Sequence, residues 1–158
     1  MLLVATLALA GCVPTPTPTP TPSASPPAAA CDAVFTPDAY AKLSNDGLEP
    51  LEPPAVDHMA TFYPLAAQMV EAGGLSCHWG KPQTEIGLTV TQLSDAHPAV
   101  WGSALADAGF VEANDPVPGA YTGPVDPGSG ISPVVVVTGD TMTFVSAPTF
   151  AGWIAPTS

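Results

Sequence analysis

The sequence has no arginine and only two lysines, Lys42 and Lys81, against fourteen acidic residues, so its formal net charge is −12 at pH 7. Arginine is the preferred bidentate partner of phosphate, and clusters of Lys and Arg supply most of the affinity of proteins for nucleic acids. The composition therefore argues against nucleic acids, nucleotides and anionic lipid headgroups as partners. We expect no binding to nucleic acid.

A hydrophobic run long enough to cross a bilayer is also missing from the N-terminal region. The apolar run over residues 2–10 belongs to about a dozen residues, which at ~1.5 Å each reach only ~18 Å of a hydrocarbon core ~30 Å thick. A short apolar run followed by small residues is typical of a secretory signal. Since no Lys or Arg precedes it, where a signal normally carries positive charge, we expect the natural start to lie upstream.

Recognisable catalytic motifs are a third absence. The sequence has no serine elbow, no zinc-protease helix motif, no phosphate-binding loop and no close pair of carboxylates in an apolar frame. Glu49 and Glu52 are near each other, but they lie in a proline-rich loop that is open to solvent and not in an apolar frame. We therefore predict a protein that is not an enzyme and needs no cofactor, with an unrecognised envelope hydrolase as an alternative.

The residues at the end of the apolar run, Leu-Ala-Gly-Cys at positions 9–12, resemble the lipobox of bacterial lipoproteins. The resemblance implies a signal peptide over residues 1–11, cleavage between Gly11 and Cys12, and a diacylglycerol on the Cys12 thiol. Since each buried methylene contributes ~0.8 kcal/mol, two acyl chains attach a protein stably to a bilayer. We expect the Cys12 acyl chains to anchor the protein to the extracytoplasmic face of the cell membrane.

A proline-rich stalk follows, so that residues 12–30 comprise the lipidated cysteine and a spacer. Proline and threonine alternate from Pro14 to Pro22, and Ser, Ala and Pro complete the segment. Locked proline φ angles and the lack of side chains worth burying predict an extended polyproline II conformation. At ~3.1 Å per residue, such a spacer holds the next domain up to about 55 Å from the bilayer.

The remaining residues, 31–158, have the usual length of one globular domain. With Cys12 lipidated, Cys31 and Cys77 form an even pair in an oxidising compartment, which predicts a disulfide. Two free thiols or a metal pair are the alternatives. A disulfide here would close a loop of about 47 residues and stabilise the domain by ~4 kcal/mol in the chain-entropy model.

Hydrophobic periodicity and turn residues predict the elements of this domain. Residues 75–79 and 85–93 are predicted to form a first hairpin, and residues 133–138 and 141–145 a second. In the second arm of the first hairpin, Ile86, Leu88 and Val90 should face the core while Thr89 and Thr91 face water. The order of elements predicts an α+β fold, an antiparallel sheet of about four to five strands with two to three helices packed mainly on one face. The predicted helices span residues 37–43, 62–72 and, capped by Asp95, a segment ending at 108; the predicted strands span residues 75–79, 85–93, 110–112, 133–138 and 141–145.

Residues 114–132 form a long irregular stretch rich in proline and glycine. Loops of this length are often functional or disordered, and a mobile surface excursion is the alternative. Tyr121 lies in its middle, with Asp115 and Asp126 on either side. Of the three tryptophans, which together would suit a sugar-stacking platform, Trp153 alone lacks a predicted core position. Asp115, Tyr121, Asp126 and Trp153 are therefore the candidate ligand-binding residues.

His58, His78 and His97 are the only histidines of the sequence. Extracytoplasmic proteins use histidine to hold copper or zinc, so these three are the candidate metal ligands. Their spacing matches no known ligand motif, and convergence depends wholly on the fold. Ordinary surface or capping histidines are the alternative interpretation.

The lipobox, the stalk ending at Cys31 and the Gly-Gly-Leu-Ser-Cys-His-Trp run at positions 73–79 together resemble the small uncharacterised lipoproteins of high-GC Gram-positive bacteria. The resemblance implies a cell-envelope location and no particular activity. The leading hypothesis is a non-enzymatic binding or interaction module for a small apolar ligand, a cell-wall glycan or another envelope protein. A metal-handling lipoprotein for copper or zinc is the second hypothesis.

Overall fold

The computed structural model describes residues 28–156. The predicted signal peptide, Cys12 and the stalk up to Pro27 lie outside the described residues. The described chain begins with a 3-10 helix, Ala28–Ala33, whose first three residues fall within the predicted stalk. Within this part of the chain, no helix is both long and apolar enough to span a bilayer.

One antiparallel sheet organises the domain, which confirms the α+β prediction. It has seven strands in the order β1-β2-β3-β7-β6-β5-β4, rather than the four to five expected. Both predicted hairpins are present, as β2 with β3 and β6 with β7. The strands are β1 (Glu49–Leu51), β2 (Leu75–Gly80), β3 (Gly87–Leu93), β4 (Val111–Glu112), β5 (Ala120–Thr122), β6 (Val134–Thr138) and β7 (Thr141–Val145).

The two unexpected strands are short and lie in segments that lack strand signals. Strand β1 contains Pro50, which cannot donate to a ladder, and the strand is tolerated because it pairs only with β2 at the sheet edge. Strand β5 lies inside the stretch 114–132, which was expected to be irregular, and it pairs with both β4 and β6. Neighbouring strands supply the pairing that three residues cannot specify alone.

The predicted helix over residues 62–72 is wrong at its start. Tyr63 has φ −134° and ψ 68° and separates two helices. Pro64 explains the break, because proline disfavours helical geometry in the preceding residue and suits the first turn of the next helix. The helices are α1 (Pro37–Asn45), α2 (Val56–Phe62), α3 (Pro64–Glu71) and α4 (Pro98–Asp107).

The cap predicted for α4 is also wrong. His97 occupies the N-cap position, whereas Asp95 adopts a left-handed conformation with φ +57° two residues earlier. The Asp95 carboxylate expected to cap the helix is therefore replaced by a backbone turn. The N–H group of His97 donates to the carbonyl of Asp95 at 3.0 Å.

Both faces of the sheet are covered, contrary to the expectation that helices pack mainly on one. Core residues of α2, α3 and α4 pack with Phe144 on one face, while those of α1 and the C-terminal 3-10 helix Pro148–Trp153 pack with Val145 on the other. The prediction that one face of β3 is exposed to solvent is wrong for the same reason, since Thr91 is 0% exposed. Ile86, which was expected to face the core, lies beyond the strand and is 62% exposed. Helix α3 lies against β3 and buries the threonines.

The disulfide Cys31–Cys77 is confirmed and fastens the start of the domain to β2. Cys77 is buried in the same cluster as Trp79, on which the ring of Phe35 packs at 5.6 Å between centroids. The two ends of the domain meet beside this cluster. Phe35 and Ile154 form an antiparallel bridge.

Candidate functional site

An apolar concavity with aromatic walls lies where the α2–α3 junction meets the loop over residues 124–128. We call it the aromatic cavity. Its volume is about 310 Å³, at the lower end of the roughly 300–1,000 Å³ usual for small-molecule sites. The end of α4 and strand β7 complete its walls. The residues that line it are Thr61, Phe62, Tyr63, Pro64, Leu65, Ala108, Phe110, Pro124, Val125, Asp126, Pro127, Gly128, Pro133 and Phe144.

The helix break at Tyr63 creates the aromatic part of the wall. The ring of Tyr63 packs on Phe144 of β7 with centroids 5.2 Å apart, and Phe144 contacts Phe110 in an edge arrangement at 6.5 Å. Phe144 is 1% exposed, so it forms the floor. Phe62, the last residue of α2, is 54% exposed and stands at the mouth. Four aromatic rings therefore surround one space.

The loop over residues 124–128 closes the opposite side. Gly123 precedes it, and a Cβ atom there would lie 2.7 Å from the ring of Phe110. Only glycine therefore lets this loop lie directly on the aromatic wall. Pro124 and Pro127 stiffen the loop, and Pro133, directly before β6, adds further apolar surface without a backbone donor.

Asp126 is the single formally charged side chain among the residues that line the aromatic cavity. Its Oδ1 accepts hydrogen bonds from the N–H groups of Gly128 at 2.8 Å and Ser129 at 2.7 Å, and from the Ser129 hydroxyl at 3.1 Å. These bonds, led by the backbone N–H of Ser129, lower the pKa of Asp126 because they favour the carboxylate. The loop therefore presents a fixed, ionised carboxylate at the rim.

The phenol of Tyr63 responds to both the burial and the charge. Desolvation raises the pKa of Tyr63, the negative charge of Asp126 raises it further, and a hydrogen bond with Ser146 opposes these effects. The Asp126 carboxylate is thus close enough for its field to act at the phenol. No histidine, lysine or cysteine lines this cavity. Its described walls are suited to hold a molecule, and Asp126 is the one carboxylate among them.

A second cavity, of about 190 Å³, adjoins the first and shares Phe62 and Tyr63 with it. His58, His78 and Glu85 line it, so the structure brings together two of the three histidines. Burial lowers the pKa of His78, whose Nδ1 lies 3.1 Å from Thr89 Oγ1. His97 is exposed at the start of α4 and lies elsewhere. Among residues 28–156, no three His, Cys, Asp or Glu side chains are placed to hold one metal ion.

The four residues predicted to bind a ligand do not converge. Asp126 lines the aromatic cavity, whereas Asp115 lines a separate and more open concavity of about 470 Å³. Tyr121 lies on β5 and packs against the α2–α4 side of the core. Trp153 packs against the opposite core cluster, beside the disulfide.

Sequence reasoning missed the aromatic rings that form most of the wall. The predicted helix over residues 62–72 has Phe62 and Tyr63 in its first turn, where both would be ordinary core or surface positions. The dipeptide before Pro64 carried the available signal, because a proline there ends a helix and leaves the preceding aromatic residue outside the regular packing. No protein-family model, no curated protein and no solved structure matches the chain.

Proposed function

We propose that this protein is a lipid-anchored binding protein of the cell envelope that holds a small apolar molecule in the aromatic cavity. The single observation that carries the proposal is the cavity itself, a preformed space of about 310 Å³ walled by four aromatic rings and four prolines. Preformed, mostly apolar concavities with few polar groups are the usual form of small-molecule sites. Binding requires no catalytic step.

The exposure of Phe62 supports a ligand at this position. Its ring is 54% exposed at the mouth of the cavity, although its neighbours Tyr63 and Leu65 pack into the domain. Covering apolar surface contributes roughly 25 cal/mol per Å². A ligand that fills the cavity and touches Phe62 therefore gains binding free energy from the apolar surface of the wall and from that of this exposed ring.

The membrane anchor rests on residues outside the described part of the chain. The lipobox resemblance places a diacylglycerol on Cys12, and the proline-rich stalk then separates the bilayer from the binding domain. The net charge of −12 supports this arrangement, since an acidic domain is repelled by anionic headgroups and is held near the membrane only by its anchor. The ligand site would then face the extracytoplasmic space.

A titration with 4-phenylbutan-1-ol, an uncharged apolar probe, tests the binding function. The full chain carrying Cys12→Ser is the protein, because it cannot be acylated and needs no detergent that would compete for the cavity. We expect saturable shifts of the backbone amide resonances of Phe62, Tyr63, Val125 and Gly128. Shifts confined to other parts of the domain, or none that saturate, would overturn the proposal.

Fractionation of the host cell tests the anchor. Wild-type protein should sediment with membranes, and its N-terminal peptide should carry the mass of a diacylglycerol on Cys12. Cys12→Ala should release the protein from the membrane fraction. An unmodified Cys12 in membrane-bound wild-type protein would refute this part of the proposal.

A further inference from the structure

The rim of the aromatic cavity carries one negative charge that no cationic side chain neutralises within the described residues. The side-chain carboxylate of Asp126 accepts hydrogen bonds only from its own turn, at Gly128 and Ser129. Lys42 pairs with Asp46 at 2.7 Å at the end of α1. Lys81 lies in the turn between β2 and β3, next to Gly47, and does not line this cavity. The carboxylate is thus available to a charge supplied from outside.

The aromatic walls behind that carboxylate also favour a positively charged ligand. The faces of aromatic rings carry partial negative charge and attract cations, and aromatic cages are a common way in which proteins recognise quaternary ammonium groups. Phe62, Tyr63, Phe110 and Phe144 supply such rings here. The residues that line the cavity include no lysine, arginine or histidine that could bind an anion.

We infer that the aromatic cavity selects an organic ammonium ion, whose apolar body lies among the four rings and whose cationic nitrogen lies beside Asp126. The inference rests on the proposed binding function and adds the class of ligand to it. Aliphatic amines are protonated near neutral pH, as the side chain of lysine is. An amphiphile with a carboxylate head would place its charge next to Asp126 and is disfavoured.

The size of the preference follows from the position of the carboxylate. Asp126 lies at the rim and in contact with solvent, where ion pairs are worth little because water screens them. We therefore expect an amine to bind about two- to fivefold more tightly than a neutral probe of the same shape. The overall charge of −12 attracts every cation, so the test must separate Asp126 from the field of the whole molecule.

Three probes of closely similar shape make the comparison: 4-phenylbutylamine, 4-phenylbutan-1-ol and 4-phenylbutanoate. Dissociation constants are measured on the full chain carrying Cys12→Ser, from the same backbone amides as above. Asp126→Asn removes the charge and keeps a carbonyl oxygen that can accept the hydrogen bonds of the turn. Asp140→Asn is the matched control, because Asp140 is exposed in the turn between β6 and β7 and lines none of the three cavities.

The order expected for the wild type is amine tightest, alcohol intermediate and carboxylate weakest. Asp126→Asn should abolish the advantage of the amine over the alcohol, Asp140→Asn should keep it, and a salt concentration of about 0.5 M should shrink it. Equal binding of amine and alcohol, or an equal loss in both variants, would overturn the inference while leaving the binding function in place. Failure of all three probes to bind would overturn both.

Discussion

The ring of Tyr63 packs on the ring of Phe144 with centroids 5.2 Å apart and an interplanar angle of 54°. This contact joins the break between α2 and α3 to the centre of the sheet. It fixes how far the α2–α3 junction stands from β7, and it leaves Phe62 on the outside of the same break. One proline-directed break thus places the ring of Tyr63 against the floor of the aromatic cavity and Phe62 at its mouth.

Phe62→Ala should weaken ligand binding with little effect on folding. The ring is largely exposed, so its loss removes little buried surface from the domain, although the contact with His58 at 5.1 Å disappears. We expect the dissociation constant of 4-phenylbutan-1-ol to rise about three- to tenfold, equivalent to roughly 1 kcal/mol of lost apolar contact. Ile86→Ala, at an equally exposed residue that does not line the cavity, should leave the constant unchanged. Equal effects of the two substitutions would contradict the assignment.

Removal of the disulfide should destabilise the domain strongly. Cys31 and Cys77 are 46 positions apart, and a cross-link over that distance limits the entropy of the unfolded chain. The double substitution Cys31→Ser and Cys77→Ser should lower the free energy of unfolding by ~4 kcal/mol in urea titrations. A reducing agent should lower the stability of the Cys12→Ser protein and leave the protein lacking all three cysteines unaffected. A loss below about 1 kcal/mol would show that the unfolded chain is already compact around this pair.

Gly119→Ala should cost more stability than Gly130→Ala. Both glycines have positive φ angles, of 76° and 71°, so alanine is strained at either position. At Gly119 a Cβ atom would also lie 2.6 Å from the carbonyl oxygen of Val137, whose own N–H is bonded to Gly119, whereas nothing lies within 4 Å at Gly130. We expect a loss of about 1 kcal/mol for Gly130→Ala and of about 2–3 kcal/mol for Gly119→Ala. Thermal or urea unfolding that gives equal losses would refute the predicted clash.

Stability should fall as the pH drops below about 6.5 because of His78. Burial lowers the pKa of His78 in the folded protein below its ordinary value of 6.5. As the pH falls through that ordinary value, the unfolded chain binds a proton that the folded protein does not, so the contribution of His78 to stability is lost toward the lower folded pKa. Urea midpoints at pH 7.5 and 5.5 should therefore differ more for the wild type than for His78→Gln. His97→Gln, at the exposed start of α4, should keep the wild-type difference.

The long-range core could be predicted in part from local pattern. The hairpin of β6 and β7 follows from apolar runs on either side of Gly139 and Asp140, and Gly139 has the positive φ that the turn requires. The pairing of Cys31 with Cys77 follows from counting cysteines. The burial of Thr89 and Thr91 in β3 could not be predicted, because their alternation with apolar residues is typical of a solvent-exposed face. Both are buried in the folded domain, where α3 lies against β3.

The site was largely beyond prediction because its residues are distant in sequence. Phe110 and Phe144 face the α2–α3 junction only after β7 has paired with β3 and β6, which no local window specifies. Asp126 was among the candidate residues because it flanks Tyr121 in the long irregular stretch. Asp115, in the same loop, lines a different concavity because the intervening β5 joins the sheet and separates the two.

Under the proposed anchor at Cys12, the disulfide would have a mechanical consequence for the domain. Tension that enters the domain at Cys31 passes through the sulfur bridge directly to Cys77 in β2, which is paired on both sides by β1 and β3. Residues 32–76, which include α1, α2 and α3, form a covalently closed loop and bear none of that load. The α2–α3 junction, which forms one side of the aromatic cavity, would thereby be shielded from forces that pull on such an anchor.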